Sequence, residues 1–248
     1  MKVVVIGGKG LIGTKLIKLL EAAGHEAVAA STSTGVDVIT GEGLAEALRG
    51  ADVVVDVANS PSWADDDVLA FFTTSTRNQV EAEKAAGVRH HVALTIVNAE
   101  TMPGSGYMRA KVAQEQAVEE SGVPYTILRA TQFHEFVEGI AGFSTADGET
   151  RVTTAAFQPV AGDDVAATLA ELVEQPPVNG IVNLGGPEVR PMSAFVEHFF
   201  QHTNDPRKVV GDPSAGYFGA DVDDTSLTTR EGARIGGTTY QDFLNKKA

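Results

Sequence analysis

Apolar and polar positions along this chain follow two periods, one typical of strands and one typical of helices. Residues 3–6 form an apolar run of Val and Ile, which predicts a strand buried on both faces of a parallel sheet. Behind it, apolar residues recur at the spacing of one helix face, at Leu11, Ile12, Leu16, Leu19 and Leu20. Similar strand runs follow at 26–31, 52–58, 91–97 and 124–129, with helical patterns at 43–50, 66–87 and 106–122. This alternation predicts an α/β fold with a doubly wound parallel sheet.

A glycine turn joins the first strand to the first helix. Its glycines fit two templates, Gly8-x-Gly10-x-x-Gly13 and Gly7-x-x-Gly10-x-x-Gly13. The first glycine permits a tight turn, Gly10 permits close backbone approach to a pyrophosphate, and Gly13 permits the helix to pack on the sheet. The helix N-terminus adds free N–H groups and a partial positive charge. We therefore predict a dinucleotide phosphate site made of Gly7, Lys9, Gly10, Leu11, Ile12 and Gly13, although a turn with no ligand remains the alternative.

The chain changes character at about residue 145, where segments shorten and Pro and Gly become more frequent. We predict a Rossmann dinucleotide-binding core over 1–145. A smaller substrate-binding lobe over 146–248 is expected to pack with the core as one compact unit. A length of 248 residues and a hydrophobic content of 43% are sufficient for a core of this size.

Composition narrows the classes of partner. The net charge of −14 disfavours nucleic acid, because phosphate repulsion would have to be overcome locally. No apolar run of membrane-spanning length occurs, and because the sequence enters its first strand at once we expect no signal peptide. There is no cysteine, and the 6 histidines show no metal-ligand spacing. We expect a cytoplasmic monomer or homodimer that acts on a small molecule and binds no metal, nucleic acid or membrane.

The end of the second strand bears on which dinucleotide is preferred. An acidic residue there would bind the ribose hydroxyls of NAD and repel the 2′-phosphate of NADP. The sequence has Ser31, Thr32 and Ser33 instead, with no acid before Asp37, and Lys9 adds a positive charge nearby. Hydroxyls donate hydrogen bonds to phosphate, so we predict NADP(H) over NAD(H). The Arg that usually marks NADP is missing, and a plain polar loop is the alternative.

The candidate catalytic residues lie between Thr95 and Lys111. Tyr107 and Lys111 are separated by one helical turn, so both project from one face at the start of a helix. An ammonium group one turn away is expected to lower the pKa of the phenol, which is about 10 in water. Tyr107 could then be the general acid toward a carbonyl that receives hydride. Thr95, at the end of its strand, could hold the carbonyl oxygen, whereas an exposed Tyr–Lys pair without function is the alternative.

The sequence resembles the short-chain dehydrogenase/reductase superfamily, in particular its atypical NmrA-like branch of NAD(P)H-binding proteins. The stretches that carry the resemblance are GGKGLIG (7–13), DVAN (56–59), YMRAK (107–111), GVPYTILRATQF (122–133) and QPVAGDDVA (158–166). It implies an NADPH-dependent reductase in which Tyr107 is the acid/base group and Lys111 also binds the nicotinamide ribose. Thr95 stands where the family usually has Ser.

Further site residues follow from the same resemblance. Val57, Ala58, Asn59 and Thr131 are expected to contact the cofactor, and Gln132 to lie near the nicotinamide. Three aromatic residues could wall a substrate pocket: Trp63, Phe133 and Tyr217. Trp63 could equally cover core, burial in the core is nearly as plausible for Phe133, and a structural role is favoured for His134.

Three functions remain open from the sequence. The first is an NADPH-dependent reductase of a small carbonyl or quinone-like compound. The second is a non-catalytic NADP(H)-binding sensor, since some NmrA-like relatives lack the catalytic Tyr. The third, an epimerase or dehydratase of nucleotide sugars, ranks lowest because the chain is short for a sugar-nucleotide lobe. The retained Tyr107 favours an enzyme.

Overall fold

The computed structural model describes residues 1–247 and confirms the predicted parallel α/β architecture. The strands are β1 (Lys2–Ile6), β2 (Glu26–Ala30), β3 (Val53–Asp56), β4 (His90–Ile96), β5 (Tyr125–Ala130), β6 (Thr145–Ala146), β7 (Glu149–Val152), β8 (Ala156–Phe157), β9 (Gly180–Gly185), β10 (Arg190–Pro191), β11 (Lys208–Gly211) and β12 (Arg234–Ile235). The α-helices are α1 (Leu11–Ala22), α2 (Leu44–Ala47), α3 (Asp65–Ala86), α4 (Gly106–Glu119), α5 (Val137–Phe143), α6 (Gly162–Glu174), α7 (Met192–Thr203) and α8 (Tyr240–Lys247).

Seven strands form the central sheet, in the order β12-β9-β5-β4-β3-β1-β2. The first strand β1 pairs in parallel with β2 on one side and β3 on the other, with Val4 opposite Val28 and Val54. Both flanks of β1 are therefore occupied, and Val3 to Ile6 are fully buried. This is why the strand reads as a continuous apolar run rather than as an alternating one.

The five predicted strands and the long helices occur close to the predicted bounds. The helix predicted at 43–50 is shorter, a single turn at α2 that begins after the left-handed Gly43. The helix α3 ends at Gly87, which takes the left-handed conformation that a helix C-terminus favours. Its buried residues Val68 and Phe72 pack against Ala110 of α4, so these two helices cover the same face of the sheet.

The structure divides the chain differently from the predicted boundary at residue 145. Two units are defined by their internal contacts. The first comprises 1–95, 106–129 and 165–182, and the second comprises 96–105, 130–164 and 183–248. Most of α6 and the start of β9 thus group with the first unit, although they follow residue 145. The reason is the sheet itself, because strand pairing draws a late segment beside β5, where the Asn179 N–H donates to the Tyr125 carbonyl.

The second unit contains small sheets and an aromatic core. Its strands form a three-stranded sheet, β11-β7-β6, and a two-stranded sheet, β10-β8. The rings of Phe157, Phe195 and Tyr240 pack edge to face at its centre. Gln158 ties several segments together, because its side chain donates to the Gly186 carbonyl and accepts from the N–H and hydroxyl of Thr229.

The described part of the chain lacks two features that would point to a membrane or a metal ion. Within residues 1–247, no helix is long and apolar enough to cross a membrane. Within the same residues, no three or more His, Asp or Glu side chains are grouped so that they could hold a metal ion.

Candidate active site

The glycine turn between β1 and α1 is formed almost entirely by backbone. Gly7 takes the left-handed conformation with φ of +77°, and its N–H donates to the Ala30 carbonyl of β2. A Cβ at Gly7 would lie 2.8 Å from the backbone N of Ala58, and a Cβ at Gly13 would lie 2.4 Å from the Gly7 carbonyl oxygen. Any side chain at Gly7 or Gly13 would therefore collide with backbone.

Gly10 differs from these two glycines. A Cβ there would meet one atom within van der Waals range, the Gly7 carbonyl oxygen at 3.3 Å. Gly10 is the N-cap of α1, where no side chain caps the helix and no acidic residue stands in the first turn. The space beside the Gly10 Cα is open apart from that oxygen, and no side chain caps the N–H groups of Leu11 and Ile12. Both features fit the binding of a dinucleotide pyrophosphate. Lys9 is exposed beside them.

The turn after β2 presents hydroxyl groups at its surface. Ser31 follows the strand directly, and its hydroxyl lies 2.9 Å from that of Ser33. The Thr34 hydroxyl accepts from the Ser31 N–H, which holds residues 31–34 as one short 3₁₀ turn. Thr32 and Ser33 are exposed. The first acid, Asp37, is already engaged, since its carboxylate accepts from the backbone N–H groups of Ile39 and Thr40.

Tyr107 lies in the first turn of α4. Its side chain contacts residues of the loop after β3 and of helix α3. Its hydroxyl donates to the side-chain oxygen of Asn59 at 2.8 Å. On one side its ring packs edge to face on Phe72, and on the other it lies 5.5 Å from the ring of Trp63. Trp63 is 73% exposed, so it does not cover core. Tyr107 is half-buried, with an aromatic ring on each side of its phenol.

Lys111 lies one turn further along α4 and is 3% exposed. Its ammonium donates to the Leu94 carbonyl at 2.9 Å and to the side-chain oxygen of Gln114, and it stands 4.3 Å above the ring of Phe72. Burial lowers the pKa of Lys111 to about 8, although the negative charges of Asp56 and Glu115 oppose the shift.

The pKa of Tyr107 does not shift in the predicted direction. Burial raises it above its ordinary value, and no effect of Lys111 offsets that burial. The reason is geometric, because the Lys111 ammonium is turned toward Leu94 and Gln114 while the phenol is turned toward Asn59. Tyr107 is therefore a neutral phenol near pH 7 and can donate a proton.

Thr95 is buried, and its hydroxyl is hydrogen-bonded to a side chain of α4. It donates to the Glu115 carboxylate at 2.6 Å. Glu115 also receives two hydrogen bonds from the Arg129 guanidinium, at 2.9 and 2.6 Å. The Thr95 proton is thus committed to this ion pair rather than presented to a carbonyl oxygen, and the predicted role of Thr95 requires Glu115 to release it.

Four predicted site residues lie in the second unit. The Thr131 hydroxyl donates to the Gln158 carbonyl, and Phe133 stacks on Phe136 with ring centres 5.1 Å apart. Gln132 and Tyr217 are buried. Contacts of these residues with a cofactor or substrate stay predictions.

His134 lies inside the second unit, and the structural role favoured for it over that of a second proton donor stays a prediction. The ring is buried and packs against the ring of Tyr240 with centroids 5.2 Å apart. Burial lowers its pKa to about 4, so the ring is neutral near pH 7.

Three residues that the sequence did not single out for these roles complete the site. Asn59 was expected to contact the cofactor, which stays a prediction, and its side-chain oxygen accepts a hydrogen bond from the Tyr107 hydroxyl. Gln114 accepts from Lys111, and Asp56 accepts in turn from the Gln114 amide at 2.9 Å. A signal was available for Gln114, since it stands one turn after Lys111 on the same helix. None was available for Asp56, because an acid that ends an apolar strand has many possible partners.

These features define a Rossmann-type dinucleotide-binding protein with a Tyr–Lys pair at the start of a helix. The chain belongs to the NAD(P)H-binding family, whose model matches residues 7–176. The match covers both the glycine turn and the Tyr–Lys pair. The predicted likeness to NAD(P)H-binding short-chain dehydrogenase/reductase proteins is confirmed at this level.

Two characterised relatives resemble parts of the chain. The (4-alkanoyl-5-oxo-2,5-dihydrofuran-3-yl)methyl phosphate reductase of Streptomyces griseus is 33% identical over 144 residues, 53% of this chain and 48% of that protein. Photosystem II assembly factor Ycf39 of Synechocystis is 24% identical over 191 residues, 70% of this chain and 59% of that protein. The chain therefore spans about half the length of the curated relatives it matches.

Solved structures share the fold over nearly the whole chain. A dTDP-4-dehydrorhamnose reductase from Clostridium acetobutylicum superposes with a TM-score of 0.76 at 16% identity, over 99% of this chain and 98% of that one. A short-chain dehydrogenase/reductase superfamily protein from Agrobacterium tumefaciens with bound NAD superposes with a TM-score of 0.75 at 19% identity. The superposition covers 99% of this chain and 95% of that one. Identities this low establish the fold alone.

Proposed function

We propose that this protein is an NADPH-dependent oxidoreductase that reduces a small carbonyl or quinone-like compound. The observation that carries the proposal is the placement of Tyr107 and Lys111 one turn apart at the start of α4, on the same unit as the glycine turn. The similarity to a reductase from Streptomyces griseus supports the class of reaction. The compound that this relative reduces is a property of the relative and is not assigned to this chain.

The glycine turn would hold the dinucleotide, through Gly10 and the N–H groups of Leu11 and Ile12. Bound NADPH would supply the hydride for the reduction. Tyr107 would supply the proton from its hydroxyl, which donates a hydrogen bond to Asn59 and would transfer its proton to the substrate oxygen. A neutral phenol is the form that this direction of reaction needs. Lys111 would keep a buried positive charge one turn behind Tyr107, with its ammonium held by Leu94 and Gln114.

A preference for NADPH is supported by the turn after β2. Ser31 and Ser33 present hydroxyls where an acid would favour NAD, and Asp37 is occupied by its own loop. Lys9 is the exposed cation of the neighbouring glycine turn. A 2′-phosphate would accept hydrogen bonds from these hydroxyls without meeting a carboxylate.

Replacement of the Tyr107 hydroxyl tests the proposal. NADPH oxidation by the wild type is first measured with a panel of aldehydes, ketones and quinones. For Tyr107→Phe we expect turnover to fall by about 10²- to 10⁴-fold, the range that general acid catalysis contributes. NADPH affinity should remain within about twofold, because the hydroxyl contacts Asn59 rather than the glycine turn. Unchanged turnover would remove Tyr107 from the mechanism.

A second function, a dinucleotide-binding regulator without catalysis, is favoured by one observation. The relative from Synechocystis is named an assembly factor rather than an enzyme. This alternative predicts that NADPH binds but is not oxidised by any compound of the panel. A partner protein would then bind differently in the presence and absence of NADPH, which a pull-down under both conditions measures.

A further inference from the structure

The buried ammonium of Lys111 has no carboxylate in direct contact among its hydrogen-bond partners. Those partners are the Leu94 carbonyl and the Gln114 amide oxygen, with the Phe72 ring face below. A buried cation is costly unless a negative charge compensates it. The nearest compensation runs through Gln114, since its amide nitrogen donates to the Asp56 carboxylate at 2.9 Å.

The orientation of the Gln114 amide follows from its two neighbours. A carboxylate accepts hydrogen bonds only and an ammonium donates only, so the amide must turn its NH₂ to Asp56 and its oxygen to Lys111. The Asp56 carboxylate is buried and receives two further donors, the Gln79 amide at 3.2 Å and the Ala58 N–H at 2.9 Å. These donors fix the carboxylate, and the carboxylate fixes the Gln114 amide.

Asp56 is also connected to Tyr107 by a second route. Its contact with the Ala58 N–H closes the turn that directly precedes Asn59. Asn59 in turn accepts the proton of Tyr107. One carboxylate at the end of β3 therefore supports both members of the Tyr–Lys pair, although Tyr107 and Lys111 face different partners.

We propose that Gln114 and Asp56 are positioning residues that hold Lys111 protonated and fixed behind Tyr107, with the Gln114 amide transmitting the charge of Asp56 to the ammonium. The catalytic meaning of this role rests on the proposed reductase function. The network itself does not depend on that function, because every contact in it joins residues of this chain.

Other charged groups surround this network and must be taken into account. On α4, Glu115 also favours the charged form of Lys111, but it is paired with Arg129 of β5. On β4, His91 is paired with Glu83 of α3 at 2.8 Å. Burial opposes the charged form of His91, but Glu83 and then Asp56 outweigh it and raise its pKa. Asp56 is thus the acid that faces Lys111 without a basic side chain bonded to it.

The proposal is tested by following the ionisation of Lys111 itself. The protein is labelled with ¹³C-lysine, and the Cε resonance of Lys111 is assigned by its disappearance in Lys111→Met. Its midpoint in a pH titration is expected near pH 8 in the wild type. Gln114→Leu should lower that midpoint by about one unit or more, because the acceptor and the link to Asp56 are both lost. Asp56→Asn, which keeps the size but removes the charge, should lower it similarly.

Two matched variants separate positioning from general disturbance. Gln116→Leu makes the same change at an exposed position of the same helix and should leave the midpoint unchanged. Gln114→Glu keeps an acceptor for Lys111 and should not lower it. Where a reduction is detected, the alkaline limb of kcat/KM should move with the midpoint. A midpoint unchanged or raised in a folded Gln114→Leu protein overturns the proposal, whatever the turnover. A lowered midpoint without turnover supports the network and contradicts the reductase function.

Discussion

The glycine turn and the Tyr–Lys site lie on the same unit but are built in opposite ways. The turn consists of backbone from one short stretch, and its glycines matter because a Cβ would strike neighbouring backbone. The Tyr–Lys site consists of side chains whose partners come from distant parts of the chain. Tyr107 and Asn59 are 48 positions apart, and Gln114 and Asp56 are 58 positions apart. Binding of the dinucleotide and transfer of the proton should therefore respond to separate sets of substitutions.

The largest effect is expected for Gly13→Val. A side chain at this position collides with the Gly7 carbonyl, so the turn and helix α1 must separate. We expect a loss of about 3 kcal/mol or more in the free energy of unfolding, or a fall of about 10 °C in Tm, by the usual cost of overpacking. NADPH binding should disappear. Differential scanning calorimetry and a fluorescence titration with NADPH measure the two effects.

Gly10→Ala and Gly139→Ala are the controls for that prediction. Gly10→Ala meets one oxygen at 3.3 Å, so Tm should change little while NADPH affinity falls, because the methyl group covers the predicted phosphate site. Gly139→Ala lies in open space on α5 and should leave binding intact. A Gly10→Ala protein with wild-type affinity would show that the turn holds no pyrophosphate.

A smaller effect, on stability, is expected from Lys111. Its pKa is about 8 in the folded chain, below its ordinary value of 10.5, so the unfolded chain binds more protons between those two pH values. The contribution of Lys111 to stability therefore rises with pH across this window, by up to about 1.4 kcal/mol per pH unit. From pH 8 to pH 10, the Tm of the wild type should therefore rise relative to the Tm of Lys111→Met. A difference independent of pH would show that the pKa of Lys111 is not lowered in the folded chain.

The smallest effect is expected at Ser33, on the choice of dinucleotide. Ser33→Asp places a carboxylate on an exposed turn, so stability should stay within about 0.5 kcal/mol. NADPH affinity should fall by about tenfold through repulsion of the 2′-phosphate, while NADH affinity holds. Ser33→Ala, which adds no charge, is the matched control. Equal losses for both nucleotides would contradict the assignment of this turn to the 2′-phosphate.

The contrast between the two regions also explains what the sequence could predict. The strands β1 to β5 and the helices α1, α3 and α4 were predicted because local periodicity and nearby glycines specify them. The same holds for the glycine turn. Residues Tyr107 and Lys111 were found because their spacing on one helix is visible in the sequence.

What the sequence could not predict depends on contacts between distant segments. The pKa of Tyr107 was expected to fall, since spacing alone does not show that Lys111 turns toward Leu94 and Gln114. The boundary at residue 145 followed the change in composition, whereas the units follow strand pairing. The engagement of Thr95 by Glu115 depends on how α4 packs on β4, which no local pattern records.

The most direct test of dinucleotide binding uses Trp63, the one tryptophan of the chain. It is exposed and its ring lies 5.5 Å from that of Tyr107, so a reduced nicotinamide bound beside Tyr107 would accept its emission energy. Titration of the purified protein should give saturable quenching of Trp63 by NADPH and a weaker response to NADH. Trp63→Phe, with binding followed through NADPH emission, controls for inner-filter effects. The absence of a saturable response to either nucleotide from the folded protein would contradict dinucleotide binding at this site.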